Sequence, residues 1–229
     1  MQAIILAGGK GTRLKPYTLD LPKSLVPIKE TPILEIVIRQ LKKSQFSNIT
    51  LAVGHLAELI KSHFNNGEKF GVKIKYSAES KPLGTAGPLK LITDLNENFL
   101  VMNSDDLTDF NYKNFFEYHK KNKAIVTIGI FNKKVNIDLG VLEVGKKNEI
   151  IDYIEKPVYN FNVSMGIYAF NKKAIDYIPE DEYFDFPTLI KKLMKNNQKI
   201  LSYQHNGYWL DIGRPEDYEK ANEDFGKIF

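Results

Sequence analysis

The chain has 229 residues, of which 43% are hydrophobic and 26% are charged, and it contains no cysteine. At about 150 residues per domain this length allows one large domain or two small ones, and the composition excludes disordered, collagenous and disulfide-stapled proteins. The absence of cysteine excludes thiol nucleophiles, iron–sulfur clusters and cysteine-bound zinc. The net charge of +4 comes almost wholly from lysine, since the chain has only three arginines, so we do not expect nucleic acid as a partner.

The first half of the sequence alternates between two hydrophobic periods. Short apolar runs predict strands, and stripes with helical spacing between them predict helices. Strands joined through helices of this length form parallel sheets, because a parallel pairing needs a long crossover connection. The predicted strands are residues 2–6, 48–53, 72–76 and 99–102, and the predicted helices are residues 33–41, 56–64 and 89–95.

The second half is richer in strands, which follow one another with short turns between them. Pro215 and the acidic residues after it predict the start of a closing helix. We therefore predict one continuous α/β domain, residues 1–229, with a first half at about 1–122 and a β-rich half at about 123–229 that would act as a substrate lobe. The predicted strands here are residues 124–131, 140–144, 150–155, 163–170, 199–204 and 208–210, and the predicted helices are residues 172–178 and 186–196.

No stretch of the sequence predicts insertion into a membrane. Its longest apolar runs, residues 3–7 and 124–131, are far shorter than the about 18 residues that a spanning helix needs. The first run follows the initial methionine without a basic segment, which is typical of a strand and not of a signal peptide. We therefore expect a cytoplasmic protein without a membrane partner.

The strongest chemical signal is a glycine-rich loop directly after the first predicted strand. Gly8, Gly9 and Gly11 lack side chains, so the backbone can approach a ligand and its N–H groups can cradle an anion. Arg13 adds a forked donor for phosphate oxygens. The spacing is neither that of a Walker loop nor that of a dinucleotide fingerprint, which disfavours P-loop kinases and nicotinamide enzymes. Lys23, in a segment stiffened by prolines, supplies a second cation.

Carboxylates follow the predicted strand 99–102, in the segment Asn103-Ser104-Asp105-Asp106. The carboxyl end of a central strand is where open α/β sheets bind ligands, and hard oxygen ligands suit Mg²⁺. Asp211 lies in another apolar strand end, where a carboxylate needs a partner or a metal ion. One Mg²⁺ between Asp105 and Asp211 would neutralise both. The sequence leaves two roles open for Asp106: it either strengthens the metal site or faces solvent.

Six motifs in order resemble the sugar-1-phosphate nucleotidylyltransferase family across essentially the whole chain. The tract at residues 82–89 is similar to that of the mannose- and heptose-1-phosphate guanylyltransferases. The resemblance implies a Rossmann-like, glycosyltransferase-A-like fold, with a mixed, mostly parallel sheet flanked by helices. It implies that the first half, about 1–122, binds nucleotide and that the β-rich half, about 123–229, is a small sugar-binding lobe. The implied reaction is the Mg²⁺-dependent reaction of a nucleoside triphosphate with a sugar 1-phosphate, giving a nucleotide sugar and pyrophosphate. The motifs are residues 6–13 with Lys23, 82–87, 103–105, 155–157, 166–168 and 209–218.

The resemblance also implies roles for particular residues. Arg13, Lys23 and Asp105 are the expected catalytic residues, and Asp105 and Asp211 the expected metal ligands. Ser164 and Met165 depart from the family, which commonly has Asn-Ala there, so the sugar is left open. The expected nucleotide-binding residues are Leu6, Ala7, Gly8, Gly9, Gly11, Thr12, Arg13, Lys23, Glu79, Pro82, Gly84, Thr85 and Ser104, and the expected sugar-phosphate-binding residues are Asn103, Gly140, Glu155, Lys156 and Ser164.

Several alternatives stay open at this point. GTP is the favoured nucleotide, with dTTP, UTP or CTP as alternatives. The expected role is the synthesis of precursors for bacterial-type surface glycans. The alternative from another functional class is a regulatory subunit that binds a sugar nucleotide without catalysing a reaction. A homodimer is the candidate oligomer. We expect the four histidines to be structural or surface residues. We expect the aromatic group Tyr177, Tyr183, Phe184 and Phe186 to serve as core and interface, with a stacking platform as the alternative.

Overall fold

The structure is a computed structural model and describes residues 1–228. In this range the helices are α1 Ile33–Lys43, α2 Ala57–Phe64, α3 Tyr112–Asn122, α4 Phe186–Lys195 and α5 Pro215–Ile228. The strands are β1 Gln2–Ala7, β2 Pro27–Ile28, β3 Thr31–Pro32, β4 Asn48–Val53, β5 Lys73–Ala78, β6 Asn98–Asn103, β7 Asp106–Thr108, β8 Val126–Asn136, β9 Val141–Val144, β10 Ile150–Ile154, β11 Val158–Asn171, β12 Ile200–His205 and β13 Trp209–Asp211.

A central sheet of seven strands runs in the order β12-β8-β11-β6-β1-β4-β5. The pairs β12–β8, β6–β1, β1–β4 and β4–β5 are parallel, whereas β11 is antiparallel to both of its neighbours. This arrangement confirms the predicted mixed, mostly parallel sheet. Because β1, β4, β5 and β6 are parallel, their carboxyl ends and the loops that follow them meet at one edge.

Hydrophobic residues cover both faces of this sheet. Ala3 and Ile5 of β1 join one buried cluster with residues of α1, α2 and α3, while Ile4 between them joins a second cluster with residues of α4. Such alternation follows from the two-residue period of a strand. The helices bury stripes at helical spacing, as Leu34, Ile38 and Leu41 do on α1.

Three smaller two-stranded sheets lie outside the central one. The β9–β10 hairpin belongs to the predicted β-rich half, and its residues are largely exposed. The antiparallel pair β7–β13 places Asp106 opposite Asp211. In the described part of the chain, no helix has the length and apolar character needed to cross a bilayer.

Two helix predictions need correction. The predicted helix 89–95 is wrong: a 3₁₀ helix covers Gly87–Leu91, and the following segment has no regular structure. The Gln2 side chain explains this, because its amide donates to the Asp94 carbonyl and accepts from the Asn96 N–H. The predicted helix 172–178 is a 3₁₀ helix, Lys172–Tyr177. Helix α3 was not predicted, although it buries an aromatic stripe.

Candidate active site

A cleft of about 730 Å³ opens at the carboxyl ends of the parallel strands. The loops after β1, β4, β5 and β6 all contribute to its walls, which is the usual position of a ligand site in an open α/β sheet. Every residue predicted to bind nucleotide lines this cleft, as does Asn103 of the sugar-phosphate set.

The glycine-rich loop lies against neighbouring backbone at close range. A Cβ on Gly8 would lie 3.2 Å from the Gly54 nitrogen, and one on Gly11 would lie 3.0 Å from the Lys23 side chain. Gly11 also has a positive φ of +61°, a conformation that glycine adopts without strain. The Thr18 hydroxyl donates to the Gly11 carbonyl over 2.8 Å. These contacts fix the loop beside the segment that carries Lys23.

Lys23 begins a one-turn 3₁₀ helix after Pro22, and its ammonium contacts the Asp105 carboxylate. The two side chains are only 14% and 15% exposed. The pair therefore lies in a region where water screens charge weakly, and either group alone would pay a desolvation cost. The structure brings together two catalytic candidates that are far apart in the sequence.

Three carboxylates converge beside this ion pair. One oxygen from each of Asp105, Asp106 and Asp211 lies within 4.8 Å of the other two. Asp105 and Asp106 are consecutive, and the β7–β13 register brings in Asp211. The structure therefore brings Asp105 and Asp211 together, and Asp106 is an additional member of the group.

Asp106 does not face solvent, since it is 1% exposed. Its Oδ1 accepts a hydrogen bond from the Trp209 indole over 3.1 Å, whereas its buried Oδ2 has no partner. Burial, followed by the charges of Asp105 and Asp211, raises the pKa of Asp106 well above its ordinary value. Burial and the Asp105 charge likewise raise the pKa of Asp211, against the opposing effect of Lys23 and Arg13.

This donor set fits a hard divalent cation. Mg²⁺ prefers carboxylate oxygens and is held by one or two of them. Three mutually repelling carboxylates, one with an unpartnered buried oxygen, are stabilised by a cation that they share. Asp105 and Asp211 would be the ligands, with Asp106 directly beside them.

Four members of the predicted sugar-phosphate set lie outside the cleft lining found in residues 1–228: Gly140, Glu155, Lys156 and Ser164. Gly140 is packed against Tyr153, whose hydroxyl donates to Glu155 over 2.9 Å. The Ser164 hydroxyl lies 3.0 Å from that of Tyr168. Lys156 is exposed, with a positive φ of +46°. The structure thus groups Gly140 with Glu155 on the β-rich half but does not join them to the cleft.

Sequence reasoning missed one wall of the cleft. Tyr183, expected to serve in core or interface, is 67% exposed and lines the cleft. The prediction holds for its neighbours, because Phe186 is buried and Phe184 packs against the core. A cluster of aromatic residues in sequence does not reveal which one faces away from the core. His55 also lines the cleft.

The sequence of residues 2–227 matches the family model described as nucleotidyl transferase. The chain belongs to the nucleotidyl transferase family. Two curated members are similar to it. The UTP–glucose-1-phosphate uridylyltransferase of Synechocystis is 35% identical over 96% of the chain, and the mannose-1-phosphate guanyltransferase of Yarrowia lipolytica is 36% identical over 95%. The chain spans 62% of the length of each of these two relatives.

Two solved structures also resemble this one. The putative glucose-1-phosphate thymidylyltransferase from Bacillus anthracis, in complex with a sucrose, superposes with a TM-score of 0.78 at 25% identity, covering 97% of this chain and 94% of its own. HddC from Yersinia pseudotuberculosis, complexed with GMP-PN, gives a TM-score of 0.74 at 29% identity, covering 98% and 99%. The sheet, the flanking helices and their order are therefore those of the family.

Proposed function

We propose that the protein transfers a nucleotidyl group from a nucleoside triphosphate, with GTP favoured, to a sugar 1-phosphate. The observation that carries this proposal is the convergence in one cleft of the glycine loop and the Lys23–Asp105 ion pair, with Asp211 beside Asp105. A binding module has little need of cations and carboxylates held side by side. Transfer between two phosphates needs both, because negative charge accumulates as the substrates meet.

The reaction joins a sugar-phosphate oxygen to the α-phosphorus and releases pyrophosphate, so the chain supplies no nucleophile. The backbone N–H groups of Gly8–Gly11 and the Arg13 guanidinium bind the triphosphate. Lys23 neutralises the α-phosphate or the attacking phosphate. Asp105 and Asp211 hold Mg²⁺, which when bound shields the phosphate charges from one another. Catalysis then consists of positioning and charge neutralisation.

The preference for GTP is proposed from the similar proteins named above and from the loop that would contact the base of the nucleotide. Glu79 lies at the start of this loop, and its carboxylate accepts the Leu83 N–H over 3.0 Å, which holds the turn that contains Pro82. The guanyltransferase relative and HddC with GMP-PN favour GTP. The uridylyltransferase and thymidylyltransferase named above keep UTP and dTTP as alternatives. CTP stays an alternative from the sequence analysis alone.

The sugar-contacting residues Gly140, Glu155, Lys156 and Ser164 remain part of this proposal, with Asn103 at the cleft itself. Cytoplasmic location, a homodimer and a role in surface glycan synthesis also stay predictions.

A screen for pyrophosphate release tests the proposal. Each of GTP, dTTP, UTP and CTP is paired with a panel of hexose, hexosamine and heptose 1-phosphates, with Mg²⁺ and then with EDTA. We expect release with at least one pair, fastest with GTP, and none with EDTA. Binding of a sugar nucleotide without metal and without turnover in any pair would instead support the non-catalytic regulatory subunit.

A further inference from the structure

We propose that Tyr183 is an aromatic platform on which the base of the nucleoside triphosphate stacks. The proposal deepens the function proposed above and rests on it. It depends on how two segments meet at one end of the cleft. We call residues 79–87 the base loop and residues 181–186 the strap.

The strap is fastened to the base loop by backbone hydrogen bonds. The N–H groups of Ala86 and Gly87 both donate to the Phe184 carbonyl over 2.9 Å, and the Phe184 N–H donates to the Leu83 carbonyl over 2.9 Å. The Thr85 hydroxyl accepts the Phe186 N–H, also over 2.9 Å. Anchors at residues 184 and 186 therefore hold the backbone immediately after Tyr183.

Two glycines allow the segments to lie this close together. Gly84 has a φ of +80°, and a Cβ there would lie 2.7 Å from the Phe184 carbonyl oxygen. A Cβ on Gly87 would lie 3.2 Å from the Glu182 carbonyl oxygen. Real side chains do not fit at the shorter distance, so glycine at position 84 sets the spacing between base loop and strap. Tyr183 lies between the two carbonyls involved.

The Tyr183 ring differs from the aromatic rings beside it. Phe186 is buried in the core and Phe184 packs against it, whereas Tyr183 is 67% exposed and lines the cleft together with Gly84 and Pro88. Exposing an aromatic ring forgoes the hydrophobic free energy of burial. A rigid backbone that presents such a ring to a ligand cleft is the arrangement of a stacking surface.

The charge distribution along the cleft points to the base as the occupant. Arg13, Lys23 and Asp105 lie where the glycine loop and the end of β6 line the cleft, which suits phosphates. The base loop and strap line another part of the cleft, where Pro82, the adjacent Pro88 and Tyr183 offer flat or apolar surface. The charged groups there are already engaged, since Lys81 pairs with Asp181 and Glu79 accepts the Leu83 N–H. A ring stacks on any base, because every base has a π-face. Tyr183 thus supplies affinity, and the choice of base falls to other contacts.

Binding measurements by calorimetry on the full chain with Mg²⁺ test this assignment. The variants are Tyr183→Ala, Tyr183→Phe and the control Met194→Ala, which removes an exposed apolar side chain of α4. The probes are the four nucleoside triphosphates and inorganic tripolyphosphate, which has no base. We expect Tyr183→Ala to weaken every nucleoside triphosphate that binds the unmodified protein by about tenfold. Tyr183→Phe and Met194→Ala should stay within twofold, and tripolyphosphate affinity should not change.

Several results would overturn the stacking role while leaving the proposed function intact. These are unchanged nucleotide affinity in Tyr183→Ala, an equal loss for tripolyphosphate, or a loss confined to the KM of the sugar 1-phosphate. Tyr183→Phe keeps the ring and serves as the folded reference if the alanine variant is unstable. If the unmodified protein bound no nucleoside triphosphate, the proposed function would fail first, and the stacking role with it.

Discussion

The ammonium of Lys23 contacts the carboxylate of Asp105, although 82 residues separate the two in the chain. Lys23 lies in the connection that follows β1, and Asp105 follows the end of β6. Strands β1 and β6 are parallel neighbours in the sheet. The pairing of these strands therefore joins a cation for phosphate to a carboxylate for metal. The predictions below start from this pair.

Replacing Lys23 should affect turnover more than substrate binding. We expect Lys23→Met to lower kcat by about 10²–10³-fold, since it removes a preorganised charge from the reacting phosphates. Steady-state kinetics with GTP and a sugar 1-phosphate measure this, and Lys121→Met on the exposed side of α3 is the control. A rise in KM with unchanged kcat would mean that Lys23 binds ground and transition states equally.

The metal assignment predicts a joint loss of binding and activity. Asp211→Asn should abolish turnover and weaken Mn²⁺ binding, measured by electron paramagnetic resonance, while circular dichroism stays unchanged. Asp152→Asn changes an exposed carboxylate of β10 and should alter neither property. Near-normal rates in Asp211→Asn would remove Asp211 from the metal site.

Asp106 should lower stability at neutral pH when no metal is present. Burial and the neighbouring carboxylates raise the pKa of Asp106 in the folded state. Its contribution to the free energy of unfolding is therefore fully present below the pKa of the unfolded chain and is lost as the pH rises above that pKa. In EDTA at pH 7 we expect Asp106→Asn to raise the free energy of unfolding, and the gain should shrink toward pH 4. Asp106→Ala, which leaves the Trp209 N–H without its acceptor, should lower it. Urea titrations at both pH values measure these changes, and a less stable asparagine variant would contradict this account.

Gly84→Ala should loosen the contact between base loop and strap. A Cβ there meets the Phe184 carbonyl at 2.7 Å and requires a positive φ, so we expect a loss of about 1–3 kcal/mol in unfolding free energy. The KM for the nucleoside triphosphate should rise as well. Gly226→Ala is the matched control, because nothing lies within 4 Å of its Cβ position in α5. It should stabilise the protein by about 0.5–1 kcal/mol, and equal effects of the two changes would refute the steric argument.

His119 should make stability depend on pH below neutrality. Burial lowers the pKa of His119 from 6.5 to about 4. Its two ring nitrogens lie 2.9 Å from the Thr127 hydroxyl and 3.2 Å from the side-chain amide oxygen of Asn98, a pairing that suits neutral imidazole. The unfolded chain binds the proton more tightly, so unfolding free energy should rise between about pH 4 and 6.5, by about 3 kcal/mol in total.

The test compares urea unfolding of His119→Gln and of the control His55→Gln, whose histidine is exposed. The first variant should lose this part of the pH dependence and the second should keep it. If His119→Gln kept the full dependence, the titration would belong to other groups.

Local patterns predicted much of the fold. Strand β4 was expected at residues 48–53 and occupies Asn48–Val53, because Ile49, Leu51 and Val53 alternate along a run rich in strand-forming residues that ends at Gly54. The helix expected at residues 89–95 failed, because the Gln2 side chain binds the backbone at Asp94 and Asn96. A bond spanning more than 90 residues leaves no local signal.

The amino-acid sequence by itself determined the glycine loop, the carboxylate segment after β6 and the end of the sheet at which both lie, since these follow from local patterns and strand direction. Only the tertiary structure decided that Asp106 is buried opposite Asp211, because that depends on the register of two short strands. It also decided that Tyr183 faces the cleft while Phe186 enters the core. Both outcomes depend on long-range backbone contacts, and residue types along the chain do not encode such contacts locally.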